Sequence, residues 1–182
     1  MNHIVSLIQP YQAKWAEDFR RLAKQLREAL TGLPIRIEHV GSTSVVGLAA
    51  KPIIDIDIVF PQAESFDSVR AKLEAAGYYH NGNQGIIDRE VFKRADFASH
   101  PVFDNIVHHL YVCSENSVEL DRHLRFRDAL KASAAARRAY EQLKLELAEL
   151  AGQDRKLYAA LKEVHGAELV EAILRGDFGA SK

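Results

Sequence analysis

The sequence predicts an α+β fold: a mixed β-sheet with flanking helices, followed by a helical C-terminal segment. Three observations carry this. Up to about residue 115, apolar residues alternate or run in short blocks bounded by Gly and Pro, which marks strands interleaved with helices. From Ser117 onward the apolar period is three to four residues, which is helical. The composition, 47% hydrophobic and 27% charged over 182 residues, lets the chain bury an ordinary core. One domain is expected over residues 1–182, with the sheet core in 1–115 and helices in 116–182.

The elements follow in order. Residues 4–8 are a short apolar run that Pro10 stops, so they read as a strand. Trp15, Phe19, Leu22, Leu26 and Leu30 recur at three- and four-residue steps, the buried face of a helix that Gly32 and Pro34 end. Residues 35–40 alternate apolar and polar and predict a strand with one buried face. Gly41-Ser42-Thr43-Ser44 is rich in turn formers, and residues 45–50 predict a short helix or turn. Residues 53–60 are the most apolar run in the chain, interrupted only by Asp55 and Asp57, and predict a central strand closed by Pro61. Residues 64–76 form a helix with Phe66, Val69 and Leu73 inward and Gly77 at its end. Strands are expected at 85–94 and 106–113, with a loop over 95–105 between them. Ser117 then caps a helix through Leu120, Leu124 and Leu130. A second runs through Tyr140, Leu143, Leu147 and Leu150. A third starts at Leu157, Leu161 and Val164 and continues past Gly166 to Ile173.

Composition also excludes function classes. The chain has 24 Lys+Arg against 25 Asp+Glu, spread evenly, so a general nucleic-acid coat is not expected; a local basic pocket stays open. Cys113 is the only cysteine, which rules out an internal disulfide and a cysteine-only zinc site within one chain. It ends an apolar strand and is read as buried and inert. No apolar run approaches the roughly 18 residues of a membrane span, and the first residues do not read as a signal peptide. A cytoplasmic protein without a membrane partner is expected.

The chemistry concentrates on Asp55 and Asp57. Two apart on a strand, they point to one face. Such a pair repels itself and loses hydration when buried, costs that a cation between the carboxylates relieves. Mg²⁺ suits them, because it takes few protein ligands and completes its shell with water and phosphate oxygens. Acidic pairs are usually solvated, but Ile53, Ile54, Ile56, Ile58 and Val59 place this one in a buried strand. Gly41-Ser42 ends the preceding strand, where backbone N–H groups can meet phosphate and glycine allows close approach. Lys51, Arg89, Lys93, Arg125 and Arg127 are the basic candidates for a polyphosphate. Tyr140 and Lys144 read as a packing and surface pair. Of eight histidines, His109 or His39 is expected to line the pocket; a zinc site would need distant imidazoles to converge.

A strand, Gly41-Ser42, 12 intervening residues and Asp55-Ile56-Asp57-Ile58 resemble the signature of the nucleotidyltransferase superfamily. The block His39-Val40-Gly41-Ser42-Thr43-Ser44-Val45, continued by Gly47-Leu48-Ala49-Ala50-Lys51-Pro52-Ile53-Ile54-Asp55-Ile56, is similar to the hallmark of the GrpB (glutamate-rich protein) family. His108-His109-Leu110, residues 123–128, Tyr140 with Leu143-Lys144, and residues 158–162 agree with it. The resemblance implies a nucleotidyltransferase-like fold and Mg²⁺-dependent transfer from a nucleoside triphosphate (NTP). Gly41, Ser42 and Thr43, with Lys51 and Arg89, would bind the nucleotide, Asp55 and Asp57 would be catalytic and hold two metal ions, and His109 would serve the catalysis as a base. The superfamily usually adds a third carboxylate from a neighbouring strand. Here His108, His109 and Tyr111 stand where it is expected, and Glu38, Asp88, Glu90 or His109 would have to substitute. Because some family members are fused to dephospho-CoA kinase, the alternative is a non-catalytic module that binds a nucleotide or CoA-related ligand, or partners such an enzyme.

Overall fold

The computed structural model describes residues 6–62 and 64–178. A five-stranded sheet runs in the order β1-β2-β5-β4-β3, from β1 (Arg36–Val40), β2 (Ile54–Phe60), β3 (Tyr78–His80), β4 (Arg89–Arg94) and β5 (His108–Ser114). Only β2 and β5 pair in parallel, so the sheet is mixed, as the sequence predicts. β2 has a neighbour on each side, but β5 holds the middle. A parallel partner needs a long crossover, and the chain uses it for α2 (Phe66–Ala75) and the β3-β4 pair, which extends the sheet beyond β5.

Strand alternation divides the chemistry between the faces. Ile54, Ile56 and Ile58 of β2 join Leu110, Val112 and Phe92 under α1 (Lys14–Ala29) and α2, where Trp15, Leu22, Leu26, Leu30, Val69 and Leu73 complete the main core. The opposite face carries Asp55 and Asp57, aligned with Val40 and Glu38 on β1 and with His109 and Tyr111 on β5.

Three helices follow the sheet: α3 (Val118–Ala132), α4 (Ala134–Leu150) and α5 (Arg155–Arg175). Ser117, Ser133 and Asp154 cap them by accepting from the N–H groups of Leu120, Ala136 and Leu157. α3 covers the acid-bearing face through Leu120, which packs on Val59 and Cys113. The helices also hold the segment that carries Gly41-Ser42. Val45 and Leu48 pack among Leu130, Ala136, Tyr140 and Ile173, and Ala49 packs against Leu147, Ala148 and Tyr158.

Three expectations change, and one alternative is decided. The strand expected at 4–8 starts outside the described residues; residues 6–8 are irregular, and only Gln9 bridges to Ala50, with both hydrogen bonds at 2.8 Å. Of the helix or turn expected at residues 45–50, the structure has the turn, around Gly47 (φ 80°), and a single 3₁₀ turn lies at Ser42–Ser44. The strand expected at 85–94 starts at Arg89, because Gln84, Gly85 and Asp88 all take positive φ. β3 is unforeseen: three residues are too few to show a period. Among the described residues no helix is long and apolar enough to cross a membrane.

Candidate active site

Gly41 ends β1 with φ 69° and ψ −175°, a conformation that essentially only glycine adopts. It also lies against β2: a Cβ there would fall 2.3 Å from Asp55 Oδ2. The bend and the first acid are therefore in contact. Ser44 Oγ donates to Gly41 O at 2.6 Å and holds the bend closed.

The two acids share a face but differ in surroundings. Asp55 is partly exposed, and its Oδ1 lies 2.9 Å from Nδ1 of His109, whose side chain is 50% exposed. Asp57 is fully buried, at 0% exposure, and its Oδ2 lies 2.8 Å from His123 Nδ1. His123 Nε2 in turn lies 3.3 Å from Glu119 Oε1. A neutral imidazole has one N–H, so serving both carboxylates makes this ring an imidazolium. Burial alone would lower the His123 pKa; hydrogen bonds to Asp57 and Glu119 outweigh it and raise it to about 9. Burial pushes the Asp57 carboxyl up, and the His123 bond opposes that.

Among the described residues, one oxygen of each acid accepts no hydrogen bond. Asp57 Oδ1 is buried without a hydrogen-bond partner, and Asp55 Oδ2 accepts none from the described residues. Among the described residues no three His, Cys, Asp or Glu side chains gather as a metal cage. Carboxylate oxygens without a donor suit a hard cation that draws its other ligands from water and phosphate; Asp55 lines the cavity beside the bend, while Asp57 is at 0% exposure.

The expected substitutes for a third acid fall away, except one. Glu38 lies opposite Asp57 on β1, but Arg127 (2.9 Å) and Arg36 (3.2 Å) hold it. Asp88 sits in the turn before β4, and Glu90 points to the other face, where it bonds His80 at 2.6 Å. The two therefore do not share a strand face. His109 remains, in register with Asp55 on the parallel strand.

Cations converge from the C-terminal helices. A cavity of about 220 Å³ is lined by Ser42, Lys51, Asp55, His109, Lys144 and Lys162. Lys144 is 3% exposed; its Nζ donates to Ser42 Oγ at 3.2 Å and to Ala49 O. Glu141, one turn earlier, accepts from Ala49 N at 2.9 Å, so α4 grips that residue by both backbone groups. Burial, with Lys162 adding repulsion, lowers the Lys144 pKa to about 7. A second cavity of about 220 Å³ adjoins, lined by Gly41, Asp55, Arg122, His123 and Lys162.

The remaining sequence candidates sort by position. Lys51 lines the first cavity, with Nζ 4.9 Å from the Tyr158 ring. Thr43 also lines it, but its hydroxyl is spent on Ile53 O and His39 Nε2. Arg89 packs on Tyr111 at 4.7 Å and lines a neighbouring cavity rather than the Gly41-Ser42 bend. His39 does not reach the acids; it faces α1, stacked on Phe19 at 4.4 Å. Arg125 bonds Asp121 and Leu174 O, and Arg127 serves Glu38. Lys144, expected at the surface beside Tyr140, is instead buried against Ser42 and Ala49, and sequence reasoning missed His123, Lys162, Arg122 and Glu141 as site residues. Phase was the available signal: Lys144 falls on the buried stripe of Tyr140 and Leu147, and His123 follows buried Leu120 by three residues.

The family described as GrpB protein matches residues 6–174 of the chain. The chain belongs to the GrpB family. It is 34% identical over 177 residues to a UPF0157 protein of Halalkalibacterium halodurans, covering 96% of this chain and 83% of that one. The crystal structure of GrpB from Enterococcus faecalis matches with a TM-score of 0.75 at 29% identity, over 93% of this chain and 98% of the other. The Cid1 poly(U) polymerase, in a MgGTP-bound crystal structure, shares the fold with a TM-score of 0.55 at 15% identity. That match covers 78% of this chain and 44% of Cid1, and it shows that the two share this fold. A dephospho-CoA kinase of Mycobacterium tuberculosis is 33% identical over 72 residues, 38% of this chain and 18% of the kinase.

Proposed function

We propose that this GrpB protein is a Mg²⁺-dependent nucleotidyltransferase acting on an NTP. The observation that carries the reading is the convergence on one cavity of Ser42, Asp55 and the cations Lys51, Lys144 and Lys162, with Gly41 against Asp55 beside it. Phosphates lie along Gly41 and Ser42, with the lysines as counter-charges. Asp55 and Asp57 would hold the divalent metal, which would supply charge neutralisation at the reacting phosphate. An acceptor oxygen attacks the α-phosphorus, the bond to the bridging oxygen breaks, and pyrophosphate leaves with that electron pair. The acceptor's proton passes to Nε2 of His109, whose Nδ1 side rests on Asp55.

Calorimetry with ATP and GTP tests this. Affinity is expected to need Mg²⁺ and to fall at least tenfold, about 1.4 kcal/mol, in Asp55→Asn. Equal affinity with and without metal, or in the variant, rejects the proposal.

Lys144 gives a second expectation. With its pKa near 7, much of it is neutral at pH 8 in the free protein, and a triphosphate raises that value. Binding should therefore take up protons at pH 8, read as a dependence of the heat on buffer ionisation enthalpy. Lys144→Met should abolish that uptake.

A non-catalytic nucleotide- or CoA-related module is the second reading. The place of a third acid being taken by His109, and the 72-residue likeness to dephospho-CoA kinase, favour it. Tight, metal-independent binding without pyrophosphate release from any NTP would decide for it.

A further inference from the structure

This inference rests on the nucleotidyltransferase reading and concerns the acceptor. The ladder between β4 and β5 ends at the Phe92–Leu110 pair. Beyond it, Lys93 and Arg94 pair with Tyr79 and Tyr78 on β3, and His109 and His108 have no partner on β4. A cavity of about 660 Å³ fills this opening and is lined by Lys93, Arg94, His108 and His109. That volume is usual for a small-molecule site. The walls are tied down. Tyr78 Oη and His108 Nε2 lie 2.8 Å apart across the opening, and Arg94 donates to Asp104 at 2.8 Å and to the carbonyls of Ala76 and Gly77.

His109 joins this cavity to the nucleotide site. With Tyr111 it lines both the large cavity and the one that holds Ser42, Asp55 and the lysines. Its strand lies between β2, where Asp55 meets Nδ1, and β4. Another cavity of about 630 Å³, on the Arg89 and Arg122 side, does not include His109 in its lining. A general base must reach the proton it takes, so an acceptor hydroxyl served by His109 comes from the β4–β5 side. The lining limits its chemistry. Arg94 is paired with Asp104 and Lys93 is offset by Asp96, so no excess of positive charge awaits a nucleic-acid backbone. Val91, Phe103, Leu110 and Tyr111 supply apolar surface. We propose that this cavity binds the acceptor, and that the acceptor is a small uncharged alcohol with an apolar body rather than a nucleic-acid end. The alcohol oxygen bonds the α-phosphorus, the bond to the bridging oxygen breaks, pyrophosphate leaves with that electron pair, and the hydroxyl proton goes to His109.

The full chain with Mg²⁺, ATP and 4-fluorobenzyl alcohol, followed by ¹⁹F magnetic resonance, tests this. The wild type is expected to broaden the fluorine signal and to form the adenylyl ester with an equal amount of pyrophosphate, while a short oligouridylate gives no product. Val107 is 64% exposed on the cavity wall and can carry extra bulk. Val107→Trp should lower broadening and ester formation at least tenfold and change Mg²⁺-dependent ATP affinity by less than about twofold. Should that variant not fold, N-phenylmaleimide on Val107→Cys adds the bulk after folding; Cys113, at 0% exposure, does not compete. Mg²⁺-dependent ATP binding with no broadening, with broadening but no ester, with ester formation that bulk at position 107 leaves unchanged, or with transfer to the oligouridylate overturns the inference and leaves the nucleotidyltransferase reading standing. Absence of Mg²⁺-dependent ATP binding overturns both.

Discussion

Replacing His123 by alanine is expected to cost about 3–5 kcal/mol of folding stability near pH 7, the usual loss when one partner of a buried ion pair is removed. Asp57 would be left at 0% exposure with neither oxygen bonded by the described residues, and must either stay charged in that place or take up a proton. For a chain of this size such a loss lowers the melting temperature by roughly 10 °C. The pH dependence has a definite sign. The His123 pKa rises on folding from 6.5 to about 9, so its contribution is full below 6.5 and disappears as pH rises through 9. Lys144 acts oppositely, since folding lowers its pKa, but it does so equally in both proteins. The stability gap between wild type and His123→Ala should therefore narrow between pH 6.5 and 9.5 in urea titrations. A constant gap would mean that the ring is not held as a cation.

Gly41→Ala carries the second large effect. The backbone conformation costs any other residue about 1–3 kcal/mol. The new Cβ would meet Asp55 Oδ2 at 2.3 Å, so the carboxylate must move as well. The expected outcome is a stability loss of about 3 kcal/mol and more than a tenfold loss of Mg²⁺-dependent nucleotide affinity. Gly47→Ala is the control. Its φ of 80° carries a similar backbone penalty, but a Cβ there meets nothing within 4 Å. It should lose about 1 kcal/mol and keep the affinity. Equal losses of affinity in both variants would show that loop strain, rather than the Gly41–Asp55 contact, governs binding.

These contrasts show which features the sequence could express. β2 and α1 were legible because burial writes a period of two or of about 3.6 into neighbouring residues. The shared face of Asp55 and Asp57 follows from the same alternation. β3 was hidden by its shortness, and its pairing with β4 leaves no local trace. His123 and Lys144 were hidden differently. Each is a polar residue at a buried helical phase, and the partner that explains it lies 66 residues away for His123 (Asp57) and 102 for Lys144 (Ser42). Arg89 erred in the other direction: its basic character suggested phosphate, while the fold spends it on Tyr111.

The grip of α4 on Ala49 also bears on the order in which the protein is made. All five strands lie within the first 114 residues, so a ribosome finishes the sheet while the backbone at Ala49 still lacks Glu141 and Lys144. A nascent or prematurely terminated chain thus has its acids but not its buried lysine. Ligand protects only the conformation it binds. Nucleotide should accordingly shield the finished protein from proteolysis and leave fragments ending before residue 144 exposed.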